Sequence, residues 1–555
     1  MGMLLSNLNL LATAPGGVAR LRELILTLAV QGKLVPQDPK DEPASVLLKK
    51  IRAEKDRLIA AGKIKRDKPL TEIAEEEKPF GLPQGWEWVR FGDASINRDG
   101  ERDPVSAADR DNRAKIYDYY GASGVIDKID GYLFDKTLLL IGEDGANLIN
   151  RSTPIAFLAH GKYWVNNHAH VIDATHRQLL DYLALFINAI SLEHYVTGTA
   201  QPKMNQAKLN SVLIALPPLA EQSRIVTRVK ELMRLCDALE AKGQLEATQH
   251  AQLVSTLLGT LTESETPEEL ADNWQRIATH SDLLLDRPEA VDALEQTILQ
   301  LAVRGLLVPQ DPQDAPAREL LKKIRAEKDK LIAAGKIKRD QPLSPIADDE
   351  MPFALPAGWE WVRLGSVISL VTSGSRSWKD YYATEGATFI RSQDIKFDRL
   401  QFDERAFVKL PPGAEGSRTQ VFLQDLLITI TGANVGKAAV VMLPIPEAYV
   451  SQHVALVRLL DLTMVDYLHL WLVGAHGGRK LLLMSSYGAK PGLNLQNIID
   501  LLVPVPPLAE QSRIVARVVG LRSLCADLRQ RLAAASERQS QIAQSLVEMQ
   551  STTTV

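Results

Sequence analysis

The chain contains itself twice. Leu28-Ala29-Val30-Gln31-Gly32-Lys33-Leu34-Val35-Pro36-Gln37-Asp38-Pro39 returns as Leu301-Ala302-Val303-Arg304-Gly305-Leu306-Leu307-Val308-Pro309-Gln310-Asp311-Pro312. The match runs through a basic segment, Leu48 to Lys55 and Leu321 to Lys328, and on to Gly85-Trp86-Glu87-Trp88-Val89-Arg90 and Gly358 to Arg363. A second pair matches further along: Pro217-Pro218-Leu219-Ala220-Glu221-Gln222-Ser223-Arg224-Ile225-Val226 and Pro506 to Val515. Between these borders lie two stretches, about 92–208 and 365–497, that do not resemble each other. Two similar frames hold two different inserts, an arrangement in which the frame presents and the insert discriminates.

With 555 residues the chain has room for several cores, and at 45% hydrophobic and 24% charged it has an ordinary globular balance. Its two cysteines, Cys236 and Cys525, occupy matching places in apolar helical patterns. They exclude a disulfide scaffold and an all-cysteine zinc site, and read as buried helix residues. No segment has the apolar length of a membrane span. The opening Met1-Gly2-Met3-Leu4-Leu5 lacks the basic start and cleavage site of an export signal, so the expected setting is the cytoplasm. A formal charge of -4 does not announce a nucleic-acid partner.

Residues 1–17 show no firm period and are expected to fray. A helix follows, with Val18, Leu21, Ile25 and Leu28 as its seam and Gly32 as its stop; Val291, Leu294, Ile298, Leu301 and Gly305 are the copy. The next helix, about 44–61, turns Leu47, Ile51, Leu58 and Ile59 to one side. Its cations are Lys49, Lys50, Arg52, Lys55 and Arg57, followed by Lys63, Lys65, Arg66 and Lys68. Such a face either meets solvent or contacts phosphates or an acidic partner, and copying the frame copies both readings. Trp86 and Trp88, with Trp359 and Trp361, read as a packed entrance to each insert rather than a base-stacking platform.

Each insert reads as an α+β globule. In the first, strands are expected at 131–134, 138–141 and 154–158 and a helix at 178–196; in the second, strands at 389–390, 426–430 and 438–441 and a helix at 463–484. After each insert a double proline is expected to open a long helix, the ring suiting the first helical position. One seam carries Ile225, Val229, Leu232, Cys236 and Leu239, weakens at Gly243, Glu246 and His250, and recovers at Leu253 and Leu257. The other carries Ile514, Val518, Leu521, Cys525, Leu528, Leu532, Ala535, Gln539, Ile542 and Leu546 without a break. Sustained heptads predict a coiled coil, and a linker at 259–289 would let the two helices pack antiparallel.

Catalytic signatures are missing. Gly432-Ala433-Asn434-Val435-Gly436-Lys437-Ala438 has one residue too few between its glycines for a phosphate loop, and Ala438 stands where magnesium needs Ser or Thr. Gly142-Glu143-Asp144-Gly145-Ala146, in the equivalent place, has no lysine. There is no Gly-x-Gly-x-x-Gly fingerprint, no His-Glu-x-x-His, and no Asn-Pro-Pro-Tyr or Asp-Pro-Pro-Tyr. His168, His170 and His453 lack a ligand cluster. No active site is read: catalytic, cofactor-binding and metal residues are all none.

The two-frame, two-insert layout resembles the specificity (S) subunit of type I restriction-modification systems. The resemblance rests on Pro-Pro-Leu-Ala-Glu-Gln at 217–222 and 506–511, the Leu-Ala-Val-x-Gly-x-Leu helix ends and the Gly-Trp-Glu-Trp-Val borders. Tyr119-Tyr120-Gly121-Ala122-Ser123-Gly124 and Gly432-Ala433-Asn434-Val435-Gly436-Lys437 add to it. It implies an α+β fold with a pseudo-twofold internal repeat: two target recognition domains separated and joined by long antiparallel coiled-coil helices. The expected domains are a helical region with a basic arm (1–85), recognition domain 1 (86–216), and a central region of long helix, linker and short helix (217–304). A second basic arm (305–358), recognition domain 2 (359–505) and a C-terminal long helix (506–555) complete the chain.

The resemblance further implies a non-catalytic subunit that reads a bipartite, asymmetric target in double-stranded DNA. Two methyltransferase subunits using S-adenosylmethionine would methylate adenine N6, and restriction subunits using ATP and magnesium would cleave; the chain itself would bind no cofactor and no membrane. Those partners can supply backbone neutralisation, which answers the acidic net charge. Base contacts are expected from insert loops: Tyr119, Tyr120, Ser123, Asn147, Asn166, Asn167, His168 and Lys203 in the first, and Ser373, Ser375, Arg376, Lys379, Arg391, Gln393, Asn434, Lys437, Gln452 and Lys490 in the second. The loops Gly198 to Asn205 and Gly488 to Asn494 are expected to return the chain to the frame. A scaffold whose globules bind proteins would fit the same frame and stands as the alternative.

Overall fold

The computed structural model describes residues 8–64, 66, 69–198, 201–339, 341–374, 378–411, 417–486 and 492–552. They form two compact units, one of residues 1–246 with 535–555 and one of residues 247–534.

The first unit opens with α1 (Leu8–Thr13), where fraying was expected. Leu11 and Ala14 are buried against the next helix, so tertiary packing orders a segment too short to be helical alone. α2 (Gly17–Val30) stops as its sequence predicts, with Gly32 at φ +70. α3 is Ala44–Ala60, and β1 (Glu87–Arg90) leads into the insert. The insert holds two four-stranded sheets. One has the order β2 (Ile96–Asn97), β9 (Ala169–Asp173), β6 (Leu138–Gly142), β7 (Ala156–Ala159). The other has the order β4 (Gly124–Ile129), β3 (Tyr117–Gly121), β8 (Lys162–Val165), β5 (Phe134–Asp135), with β3 and β8 parallel. The strand expected at 131–134 shrinks to β5, and the β3–β4 hairpin was not foreseen. Its Tyr and Gly content hides the alternation that marks a strand. α4 (Arg177–Ala189) packs its Leu179, Leu183, Phe186 face into the core. β10 (Leu213–Leu216) then pairs antiparallel with β1, Glu87 opposite Leu216, closing the insert at its neck. α5 (Leu219–Glu263) starts directly after the double proline, which caps the helix from outside instead of entering it.

In the second unit the expected linker is largely helical. α5 runs to Glu263, followed by α6 (Pro267–Thr279) and α7 (Ser281–Leu284). Thr266 caps α6 by accepting from the Glu269 amide, and Leu261, Ile277 and Leu284 are buried in one cluster. Composition pointed to a loop, but Thr, Glu and Pro here are cap and first-turn residues. α8 (Pro288–Val303) and α9 (Ala317–Ala333) repeat α2 and α3. After β11 (Glu360–Arg363) the insert again forms two four-stranded sheets. The orders are β12 (Ile368–Ser373), β19 (Val454–Leu459), β16 (Leu426–Thr429), β17 (Ala438–Val440), and β13 (Tyr382–Ala383), β15 (Phe407–Val408), β14 (Ala387–Ile390), β18 (Ala448–Val450). β14 and β18 run parallel, as β3 and β8 do.

The helix expected at 463–484 is two helices, α10 (Val465–Val473) and α11 (Gly478–Met484). The break packs against Trp471 of α10, whose indole donates to the Leu502 carbonyl at 2.9 Å; a Cβ on Gly477 would lie 2.7 Å from the Trp471 carbonyl oxygen. β20 (Leu502–Val505) pairs with β11, and α12 (Leu508–Thr552) follows.

The expected seams are buried over their first turns, Ile225, Val229, Leu232 and Cys236 on α5 and Ile514, Val518 and Cys525 on α12. Leu239, Leu521, Leu528 and Leu532 are half-buried. Further on the seam is partly displaced: Leu257, Ala535 and Leu546 are half-buried, but two expected apolar members are not. Leu253 is 52% exposed and Val254 3%; Ile542 is 51% exposed and Ala543 0%. Cys236 to Val254 and Cys525 to Ala543 are both eighteen residues, five turns of a straight helix at about 3.6 residues each. A buried stripe with that eighteen-residue spacing drifts off a strict seven-residue repeat.

Candidate nucleic-acid interface

The repeated motifs form one knot in each unit. Glu221 is buried and its carboxylate accepts from Trp86 Nε1 at 3.0 Å and Gln37 Nε2 at 3.1 Å. In the second unit Glu510 accepts from Trp359 Nε1 at 3.0 Å and Gln310 Nε2 at 3.2 Å. Gln222 and Gln511 each donate back to the first proline carbonyl of their motif at 2.9 Å. Arg224 pairs with Asp41 at 2.6 Å and Arg513 with Asp314 at 2.7 Å. Gly32 and Gly305 complete the knot, since a Cβ on either would sit 2.5 Å from a proline ring. Burial pushes both Glu221 and Glu510 above the ordinary carboxylate range. The tryptophans are thus structural, as read from the sequence.

The basic helices are partly structural too. Lys55 Nζ donates to the Gly92 carbonyl and Lys328 Nζ to the Gly365 carbonyl, both at 2.7 Å. Arg90 and Arg363 pin the extended segment after each helix through Glu77 and Glu350, each pair 2.8 Å apart. Lys49 and Arg52 stay exposed; Lys65 and Lys68 lie outside the described residues.

Held at its neck, each insert carries four loops to one place. In the first they are the β3–β4 turn, the segment after β6, the β8–β9 turn and the returning loop. Glu143 N donates to the His168 carbonyl, Asn166 N to Tyr120 O, and Met204 N to Glu143 O. These bonds bring Asn167, His168 and Lys203 together, with Ser123 exposed in the neighbouring turn. His168 Nδ1 lies 2.7 Å from Asp144 Oδ2. Behind them, Glu143 is held by Arg102 at 2.9 Å and Lys203 at 3.2 Å. His170 is buried between Asp99 Oδ2 at 2.6 Å and the Met204 carbonyl at 2.8 Å. Burial alone would raise Asp99, but His170 and Arg102 outweigh it and hold the carboxyl below its ordinary range. Each of these carboxylates has a partner, so this loop surface can face a polyanion without a buried uncompensated charge.

The remaining first-insert candidates have partners within the fold. Tyr119 is fully buried, its hydroxyl bonded to both backbone groups of Val105 and its ring under the Arg110 guanidinium at 4.4 Å. It is a core residue; β-strand alternation turns it inward while Tyr120 packs on Phe157 and Tyr163. Asn147 spends its amide on Thr153 and Ser152, and buried Asn166 accepts from the His168 amide. Both are loop-shaping residues.

In the second insert Gly374 N donates to Ser451 O, Ser451 N to Ile390 O, Ile430 N to His453 O, and Leu493 N to Ile430 O. This collects Ser373, Arg391, Gln393, Asn434, Gln452 and His453. Gln393 and Gln452 are exposed. Arg391 is tied to Asp394 at 3.2 Å, and Asn434 donates to the Ser392 carbonyl at 3.4 Å. Lys437 is half-buried at the end of a tight loop. The amides of Val435, Gly436 and Lys437 bond to Gly432, Thr429 and Asn434 carbonyls, which leaves no cradle for a phosphate. Ser375, Arg376 and Lys490 lie outside the described residues, as does the Lys379 side chain. The sequence reading did not single out Asp144, Thr431 or His453 as base-reading candidates; the fold sets Asp144 Oδ2 beside His168 Nδ1 and Thr431 Oγ1 beside His453 Nδ1.

Among the described residues no group of three or more His, Cys, Asp or Glu is placed to hold a metal, and no helix is long and apolar enough to cross a membrane.

Residues 83–249 match the family model for the type I restriction modification DNA specificity domain. The specificity subunit of the type I restriction enzyme EcoAI of Escherichia coli is 36% identical over 96% of this chain and 93% of its own length. That of EcoEI, also of Escherichia coli, is 36% identical over the same shares. The chain belongs to the family of type I restriction enzyme specificity subunits. It is a non-catalytic component that supplies DNA specificity to a type I restriction-modification system.

Proposed function

We propose that each insert is a target recognition domain reading one half of a split DNA sequence, and that the loop clusters around His168 and His453 are the reading surfaces. The two long helices then hold the halves a fixed number of base pairs apart, packed antiparallel. Two methyltransferase subunits use S-adenosylmethionine to methylate adenine N6 at the chosen site, and restriction subunits use ATP and magnesium to cleave. The observation that carries this reading is the pair of loop clusters: one sheet of each insert has the same strand order, the other shares three strands around a parallel pair, and the same backbone bonds recur while the exposed side chains differ. A constant support with variable tips is what two different base readouts require, because base-edge contacts choose sequence and backbone contacts only position.

The test is an exchange of residues 93–208 for the corresponding insert of a relative with a known, different target. N6-methyladenine is then mapped across the genome of cells that also carry the cognate methyltransferase. One half of the methylated motif should be rewritten, with the other half and the gap unchanged. A folded, partner-bound chimera that changes both halves together would exclude independent reading.

A further inference from the structure

The two loop clusters agree in more than their strand order. Asn166 N→Tyr120 O matches Ser451 N→Ile390 O; Glu143 N→His168 O matches Ile430 N→His453 O; Met204 N→Glu143 O matches Leu493 N→Ile430 O. The bridge between Asp144 and Lys203 matches that between Thr431 and Gly492, and Gly145 and Gly432 follow with φ of +101 and +91. His168 and His453 therefore occupy one structural position, reached from segments that share only short matches, Val-x-x-His at 165–168 and 450–453 and Gly-Ala-Asn at 145–147 and 432–434. At that position the ring is held the same way: Nδ1 faces Asp144 Oδ2 in the first insert and Thr431 Oγ1 in the second. A carboxylate only accepts, which puts a proton on His168 Nδ1; in the neutral ring Nε2 then keeps its lone pair. In the second insert the Gln452 amide nitrogen lies 3.2 Å from His453 Nε2, and an amide donor there demands the same tautomer. Both imidazoles are exposed at the loop tips.

We infer that His168 and His453 are equivalent specificity-determining residues, each using Nε2 as a fixed acceptor for an exocyclic base amine, adenine N6 or cytosine N4, in its own half-site. Those amines are the donors that the major groove displays. Asp144 and Thr431 are positioning residues that set the tautomer. Gln452 holds Nε2 in the free protein and yields it to the base. The inference rests on the reading of the inserts as recognition domains.

The experiment replaces His168 in the full chain, assembled with its methyltransferase, and reads the methylated motif together with binding to matched and single-substituted duplexes at several salt concentrations. His168→Gln keeps a polar group near the Nε2 position, whereas His168→Asn keeps one only near Nδ1. We expect His168→Asn and His168→Ala to lose roughly tenfold or more in discrimination at one base pair of one half-site, about the value of one base contact. His168→Gln should retain most of it, and the other half should be untouched. The same series at His453 should act on the opposite half. Thr431→Val, which removes the Nδ1 partner, should blur that same base pair and no other. An unchanged motif overturns the inference. So does uniform weakening across all duplexes with a shallower salt slope, which marks a phosphate contact. If the unaltered complex methylates no split motif, the recognition-domain reading fails first, and the two failures are told apart by that control.

Discussion

Gly32 and Gly305 show what a single missing Cβ permits. Each ends a helix at positive φ and lets a proline and a tryptophan close over its backbone, with a would-be Cβ 2.9 Å from Trp86 and 3.0 Å from Trp359. Gly32→Ala should add left-handed strain to a steric clash and lower unfolding stability by about 2–4 kcal/mol, measured by urea denaturation. Gly16, at φ +67 with nothing near its Cβ position, is the control; Gly16→Ala should cost only the backbone part, about 1–2 kcal/mol. Glu221 and Glu510 give a pH dependence of defined sign. Their folded-state pKa values are raised by burial, so between the unfolded value near 4.5 and the raised one the folded protein holds more protons than the unfolded chain. Their contribution is fully present below that window and is lost as pH rises through it. A Glu221→Gln, Glu510→Gln double variant should lack this decline. Denaturation midpoints of both proteins across pH 4.5 to 8 check it, and parallel curves would refute the assignment.

On the scale of elements, the long helices separate a pattern read from letters from one set by packing. Heptad counting puts Leu253 and Ile542 in the seam; the helices bury Val254 and Ala543. Val254→Asp should cost several kcal/mol, the penalty of a charge in an apolar cluster with Leu258, Leu261 and Leu301. Leu253→Asp should stay within about 0.5 kcal/mol. Urea denaturation of the two variants distinguishes them, and equal losses would restore the heptad seam. The α6–α7 segment teaches a related lesson. Thr266, Pro267 and Glu269 look like a linker by composition and act as a helix start by position.

At the scale of the whole molecule, the proposed spacer makes a metric prediction. Lengthening α5 and α12 together by one heptad adds about 10.5 Å at about 1.5 Å per residue. The preferred gap between half-sites should then grow by roughly three base pairs, at about 3.4 Å each. A methylome that keeps the original gap would show that another part of the complex measures the distance.

The sequence alone determined the layout. A repeat of frame motifs around unlike inserts, with no catalytic signature, needs no coordinates to be seen, and it led to the right family. Short-range features were also legible: helix stops at Gly32 and Gly305, buried cysteines, and the necks bordered by tryptophans. These depend on residues near each other in the chain, or on patterns repeated often enough to outvote local noise. The tertiary structure decided what depends on distant residues. It put Trp86, Gln37 and Glu221 in one knot, turned Tyr119 into the core and divided the expected 463–484 helix into α10 and α11 beside Trp471. Above all it placed His168 and His453 at one position of two inserts whose sequences share little. Backbone hydrogen bonds set that position, and every residue type supplies the same amide and carbonyl, so the equivalence leaves only short traces in the letters, Gly-Ala-Asn at 145–147 and 432–434 and Val-x-x-His at 165–168 and 450–453.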